Sequence, residues 1–259
     1  MRMMKKVLGT VTVLALSASL LAGCGSTAAS PVSSAASTAA ESTTSSVVSE
    51  TTSAAADENV AAAAQLLNDL TGSYQELWPV ILADEYQQTW LDDCTALVGE
   101  ENAEAAFEKL SSMVTGDVYG EDAVEAYANG GGAYFCGFTN SLATLTFDGE
   151  TSTISGTDKD GNVLFSHTYH YIGMEPVRGL YEFESDDADS GEFTYFFLAP
   201  DTSAETYHIE FRYGSDADAL SQYDAGDYAY WLASGISTDC DQTMIDNCIK
   251  LFCTENLAG

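Results

Sequence analysis

The chain has 259 residues, with 8 Lys and Arg against 40 Asp and Glu, a formal net charge of −32 at pH 7 and 46% hydrophobic residues. So negative a surface repels nucleic acid and anionic lipid heads, and it gathers cations only diffusely, so charge alone names no ligand. The length leaves room for one domain with a real core once an export segment and a linker are set aside.

Arg2, Lys5 and Lys6 precede an apolar run from Val7 to Leu21 that is too short to span a bilayer. Leu21-Ala22-Gly23-Cys24 follows it and resembles a lipoprotein lipobox. Residues 1–23 are therefore expected to be a signal peptide. Cys24 is expected to be the acylated N-terminus of a lipoprotein anchored to the cell membrane on its extracytoplasmic face. Residues 24–57 are almost entirely Ser, Thr, Ala, Val and Glu with no aromatic residue, a composition that reads as a disordered tether. As a flexible coil it spans roughly 30 Å.

The folded domain is expected over 58–259. Helical spacing runs through 58–128: Val60 to Leu70, a capping box at Ser73 to Glu76 ahead of Leu77 and Trp78, Glu85 to Val98, Asn102 to Thr115 and Glu121 to Tyr127. Gly99 and Gly116 are plausible caps. From Ala133 the pattern turns to short aromatic and β-branched runs, with strands predicted at 133–139, 142–147, 151–157, 162–172, 178–185, 192–199 and 207–213. Asp148-Gly149 and Asp160-Gly161 sit where tight hairpins need a residue that accepts positive φ. The fold class implied is mainly β: a closed or nearly closed up-and-down antiparallel barrel over 133–214, preceded by helices and followed by helices over 215–259.

Cys94, Cys136, Cys240, Cys248 and Cys253 are odd in number and form no C-x-x-C pair, so buried free thiols are expected for most of them, with the last three on one helix. No G-x-S-x-G, phosphate-cradling glycine loop or H-E-x-x-H is present, so an enzyme is not expected. Asp158 to Asn162 reads as a hairpin turn and not as a calcium loop, because the bidentate glutamate is missing. His167 and His170, three apart on one strand, face opposite ways.

The stretch His208-Ile209-Glu210-Phe211-Arg212 is the candidate site. Strand alternation sends His208, Glu210 and Arg212 to one face and Tyr207, Ile209, Phe211 and Tyr213 to the other. An imidazole and a carboxylate two residues apart reach one ion, and both are zinc donors. The competing reading is a polar row in which Glu210 neutralises Arg212.

Gly72 to Pro79, Tyr169 to Gly173, Leu198-Ala199-Pro200 and Tyr207 to Gly214 together resemble the ZinT family, zinc-binding domains with a lipocalin- or calycin-like barrel, also found as the C-terminal part of AdcA-type zinc-uptake lipoproteins. Gly72-Ser73-Tyr74-Gln75-Glu76-Leu77-Trp78-Pro79 is similar to the family's G-x-W-Q-S-V-Y-P, and Tyr169 to Gly173 is similar to Y-x-Y-x-G. Leu198-Ala199-Pro200 and Tyr207 to Gly214, the latter similar to A-H-F-H-F-R-Y-G, complete the match over most of residues 70–250. The resemblance implies zinc held inside the barrel by the two histidines of H-x-H and a third on the preceding strand. His208 matches the first of these and Glu210 falls on the second, while Phe196 stands where the third is expected; with a one-residue gap, His208 matches the second and Thr206 the first. It further implies a role in metal homeostasis, with a divalent ion as ligand and a metal-uptake transporter component as partner. The alternatives are a barrel that has lost its metal and takes an apolar ligand, or a surface interaction module.

Overall fold

The structure, a computed structural model, describes residues 47–258, with side chains from residue 58. The signal peptide, Cys24 and the first part of the tether lie outside the described residues. In chain order the elements are α1 (Val47–Asp69), β1 (Gly72–Glu76), α2 (Leu77–Ile81), α3 (Gln87–Val98), α4 (Glu100–Ser112), α5 (Glu121–Ala128), β2 (Thr144–Asp148), β3 (Thr153–Thr157), β4 (Val163–Met174), β5 (Tyr181–Ser185), β6 (Tyr195–Leu198), α6 (Ser203–Thr206), β7 (Ile209–Gly214), α7 (Ala217–Leu220), β8 (Ala233–Ser237) and α8 (Gln242–Leu257). The eight strands form one closed barrel, each antiparallel to the next, with β8 returning to β1. Up-and-down barrel architecture with flanking helices is therefore the fold, as the sequence implies. Among the described residues no helix is long and apolar enough to cross a membrane.

The barrel does not begin and end at 133 and 214. Its first strand is Gly72–Glu76, within the stretch read as helical, and its last is Ala233–Ser237, within the stretch read as C-terminal helices. The proposed capping box at Ser73 to Glu76 fails because the Glu76 carboxylate is taken by another partner: it accepts the Phe138 backbone N–H at 2.6 Å. Tyr74 then points inward and packs edge-on against Phe147 at 5.7 Å. Residues 133–139, read as a strand, are a loop across one end of the barrel. Tyr213 and Trp231 pin it, the Tyr213 hydroxyl donating to the Thr139 carbonyl at 2.9 Å and Trp231 Nε1 donating to the Gly137 carbonyl at 2.9 Å. The stretch read as tether is helical from Val47, where α1 begins, because its Ala content continues the helix of 58–69 at little intrinsic cost.

Two cores result. Alternate residues of the strands, among them Leu145, Phe147, Ile154, Phe165, Phe183, Phe196, Phe211 and Tyr213, fill the barrel together with one face of α1. A second core lies outside the barrel wall, where α2, α3, α4 and α8 pack over the outward Ile236 of β8, with Trp78, Trp90, Leu110 and Ile249 as its largest members. Trp90 ties this layer together: its Nε1 donates to the Ile81 carbonyl at 2.7 Å, and its ring meets Phe252 edge-on at 6.0 Å.

The two aspartate-glycine turns work differently. Asp158 accepts the Asp160 and Asn162 backbone N–H groups and the Asn162 side-chain amide, all at 2.9 Å, and Gly161 takes φ +81°, so the segment is a hairpin turn held by its own hydrogen bonds. Gly149 does not adopt positive φ. It is required because α1 crosses directly above it, where a Cβ would lie 2.4 Å from Asn68 Cα. Gly149→Ala is therefore expected to lower the unfolding free energy by about 2–3 kcal/mol through overpacking against backbone. Gly161→Ala, with open space around it, is expected to cost only about 1 kcal/mol for its φ. Paired urea denaturation curves compare the two.

Candidate functional site

The chain leaves α6 through Tyr207 in a left-handed conformation, φ 64°, and delivers His208 one residue ahead of β7. Two hydrogen bonds span that corner. Thr206 Oγ1 donates to the His208 carbonyl at 2.7 Å, and His208 Nδ1–H donates to the Thr206 carbonyl at 2.7 Å. With Nδ1 so engaged, Nε2 is the ring atom turned outward from the corner. A carbonyl-anchored Nδ1 is also the usual way in which a metal-ligating imidazole is oriented.

From Ile209 onward strand alternation holds: Ile209, Phe211 and Tyr213 enter the barrel core, and His208, Glu210 and Arg212 take the other face; Tyr207, expected with the inward set, lies before the strand in a left-handed conformation and packs against the outer core instead. That face is the outer wall of the barrel, so the pair expected inside the barrel lies outside it. His208 Nε2 stands 3.9 Å from Glu210 Oε1, the side chains being 19% and 44% exposed. They form one wall of a cavity of about 80 Å³ whose other walls are Leu77, Trp78 and Ile81 of α2 and Cys248, Leu251, Phe252 and Glu255 of α8. Cys248 and Glu255, seven apart on α8, are two further donors that sequence reasoning left out of the site. Their seven-residue spacing marks a shared helix face, but only the barrel's closure reveals that this face meets β7.

The interior offers no counterpart. Phe196 lies within 5.3–6.4 Å, ring to ring, of Phe165, Tyr169, Phe211 and Tyr213, so aromatic rings occupy the space where the third histidine is expected and where an apolar ligand would have to enter. His167 and His170 face opposite ways, as expected, and neither reaches His208. Nδ1 of each lies 2.8 Å from a carboxylate of the loop after β5, Asp187 and Asp186 respectively.

Arg212 does not neutralise Glu210. Its guanidinium is fully buried and donates to the carbonyls of Leu220, Gln222 and Tyr228, with its carbon 4.3 Å from the centre of the Tyr223 ring. Glu210 is left to His208. Burial of the imidazole works against its charge, but the Cys248 sulfur and the Glu210 carboxylate favour the charged ring and prevail, so its pKa is raised. Burial also raises the carboxyl of Glu255; His208 pulls it back, and Glu210 and Asp201 push it up. Of these carboxylates Glu210 alone comes within 4 Å of the ring, while Glu255 and Asp201 interact with it at longer range. As the side chains stand, no three His, Cys, Asp or Glu groups among the described residues are gathered closely enough to hold an ion.

Of the cysteines, Cys94, Cys136, Cys248 and Cys253 are buried, Cys240 is half-buried, and all are free thiols. Cys240 precedes α8 and does not share it.

No protein-family model matches the chain, and no curated protein matches it in sequence. Among solved structures it is similar to the Zn(II)-bound ZinT-like domain of Streptococcus pneumoniae AdcA, at 15% identity and a TM-score of 0.45 over 71% of this chain and 89% of that one. It is also similar to Zn(II)-bound AdcA from Streptococcus pneumoniae, at 14% identity and a TM-score of 0.43 over 70% of this chain and 34% of that one. At these values the likeness says nothing about donors, and the chemistry of the site rests on its own geometry.

A histidine whose folded-state pKa is raised above its unfolded value of about 6.5 stabilises the fold fully below that value, and the contribution is lost as pH rises through the folded-state value. The stability difference between wild type and His208→Asn is therefore expected to be largest near pH 5–6 and to shrink at alkaline pH, read from urea denaturation across that range.

Proposed function

We propose that this chain is an extracytoplasmic lipoprotein, anchored through Cys24, that binds zinc or a similar divalent ion in the cleft between β7 and α8 and serves metal homeostasis. The observation that carries the reading is the His208 Nε2 to Glu210 Oε1 approach of 3.9 Å inside a cleft that Cys248 and Glu255 also line. Imidazole nitrogen, thiolate sulfur and carboxylate oxygen are the donors zinc takes, at about 2.0–2.3 Å, and three or four of them complete a tetrahedral site. The cavity accepts one ion and its nearest atoms, not an organic ligand. Binding draws Cys248 and Glu255 toward the His208–Glu210 pair and displaces the proton that the imidazole carries, so affinity rises with pH. The ZinT resemblance supports zinc as the ion, and a metal-uptake transporter component is the partner that reading implies. Lipid attachment rests on the Leu21-Ala22-Gly23-Cys24 segment and is tested separately by moving the protein from membrane to soluble fraction with Cys24→Ser.

Calorimetric titration of metal-free protein with zinc is expected to give one ion per chain. His208→Ala abolishes binding, and Glu210→Gln and Cys248→Ser each weaken it by roughly tenfold or more, the size of losing one ligand at 1.4 kcal/mol or above. Phe196→His restores the residue that the family resemblance calls for, but its imidazole enters the barrel interior, so it gains no zinc affinity. Absence of zinc uptake by wild type at tens of micromolar free metal, or a large gain in Phe196→His, overturns the outer-wall site.

A further inference from the structure

Cys94 of α3 and Cys253 of α8 bring their sulfurs to 3.9 Å of one another, and both residues are fully buried. Among the described residues this is the one pair of sulfurs within hydrogen-bonding reach; Cys136 instead turns its thiol toward the Tyr134 carbonyl, and Cys248 lines the cleft. The two helices that carry them pack side by side through Trp90 and Phe252. A disulfide needs sulfurs about 2.05 Å apart, so closure requires the two sulfurs to approach by about 2 Å from their separation of 3.9 Å.

We propose that Cys94 and Cys253 form an intramolecular disulfide that ties α8 to α3. The step is thiol–disulfide exchange with an external disulfide, either a small-molecule disulfide or the active-site disulfide of an oxidoreductase. One protein thiolate attacks that disulfide and expels a thiolate. The second protein thiolate then attacks the mixed disulfide and expels the other. The two protein thiols lose two electrons and two protons, the new S–S bond forms, and the external disulfide becomes two thiols that carry those protons. Burial raises the pKa of both thiols and shields both sulfurs, so the exchange belongs to the folding chain, before the helical layer closes over them. Once formed, the bond fixes the helix that supplies Cys248 and Glu255, and it is shielded from reductants. The inference does not depend on metal binding, since it uses neither cleft residue.

The test is refolding of the full mature chain with glutathione disulfide, followed by alkylation in denaturant without reductant and peptide mapping. The expected result is a cross-linked peptide pair containing Cys94 and Cys253, two hydrogens lighter than the separate peptides, with Cys136, Cys240 and Cys248 alkylated. Tm is expected to rise by roughly 5–10 °C over the reduced protein, and the rise disappears in Cys94→Ala and Cys253→Ala. Quantitative alkylation of Cys94 and Cys253 after oxidative refolding, or a cross-link to any other cysteine, overturns the proposal. The wild-type peptide map decides this even where an alanine variant fails to fold.

Discussion

The pairing of β1 with β8 is the constraint on which the rest of the molecule depends. Tyr74, Gln75 and Glu76 lie opposite Ser237, Ile236 and Gly235, and that ladder closes the barrel. α2 follows β1 without a break and α8 follows β8 within a few residues, so closure alone sets these helices beside each other on the outer wall. β7 is the other neighbour of β8, with Ile209 opposite Gly235, where a Cβ would lie 3.0 Å from Ile209 Cγ1. The cleft between His208, α2 and α8 is thus a consequence of topology: three chain segments far apart in sequence meet because one small-residue strand joins them.

The three outward residues of the β7 segment divide their work along the strand. Arg212 is covered by the segment from Leu220 to Tyr228 and is satisfied mainly by carbonyl oxygens, with Nε unpartnered and the Tyr223 ring between it and Arg178. A guanidinium that spends its donors on backbone and stacks on an aromatic face needs no carboxylate beside it. Glu210, only two residues away, is therefore left to face the cleft. Had Arg212 reached Glu210, the paired carboxylate would have been a poor donor and His208 would have stood alone.

The β-meander from Thr144 to Gly214 was legible because its strands alternate in two-residue period between inward aromatics and outward polar residues, and its turns carry Asp, Asn and Gly. The ends of the barrel were not. β1 opens on residues that also fit a helix start, and only the Phe138 N–H, 62 residues away, shows that Glu76 is not capping one. β8, Ala-Ser-Gly-Ile-Ser, lacks an alternating pattern because both its faces are covered and its neighbours demand small side chains. The same limit applies to the site. His208 and Glu210 share a strand, so their juxtaposition is local and readable; Cys248 and Glu255 come from a helix that only the closed barrel places opposite them. Which face of the strand is inside was also not local, since inward and outward are defined by what the other seven strands enclose.

Moving the chemistry from the interior to the wall changes what an ion would do to the protein. Within a barrel packed by Phe165, Phe196, Phe211 and Tyr213, an ion would have to displace rings that touch one another, at the cost of the core itself. In the cleft it would bridge two layers that already pack together, with donor groups available from both: His208 and Glu210 from the barrel wall, Cys248 and Glu255 from the helical cover. A ligand that binds only the assembled form adds its binding free energy to the stability of that assembly. Under the proposed binding, ion occupancy and the docking of α8 on the barrel would be one equilibrium, and whatever loosens α8 would weaken the site by the same amount that the ion resists the loosening.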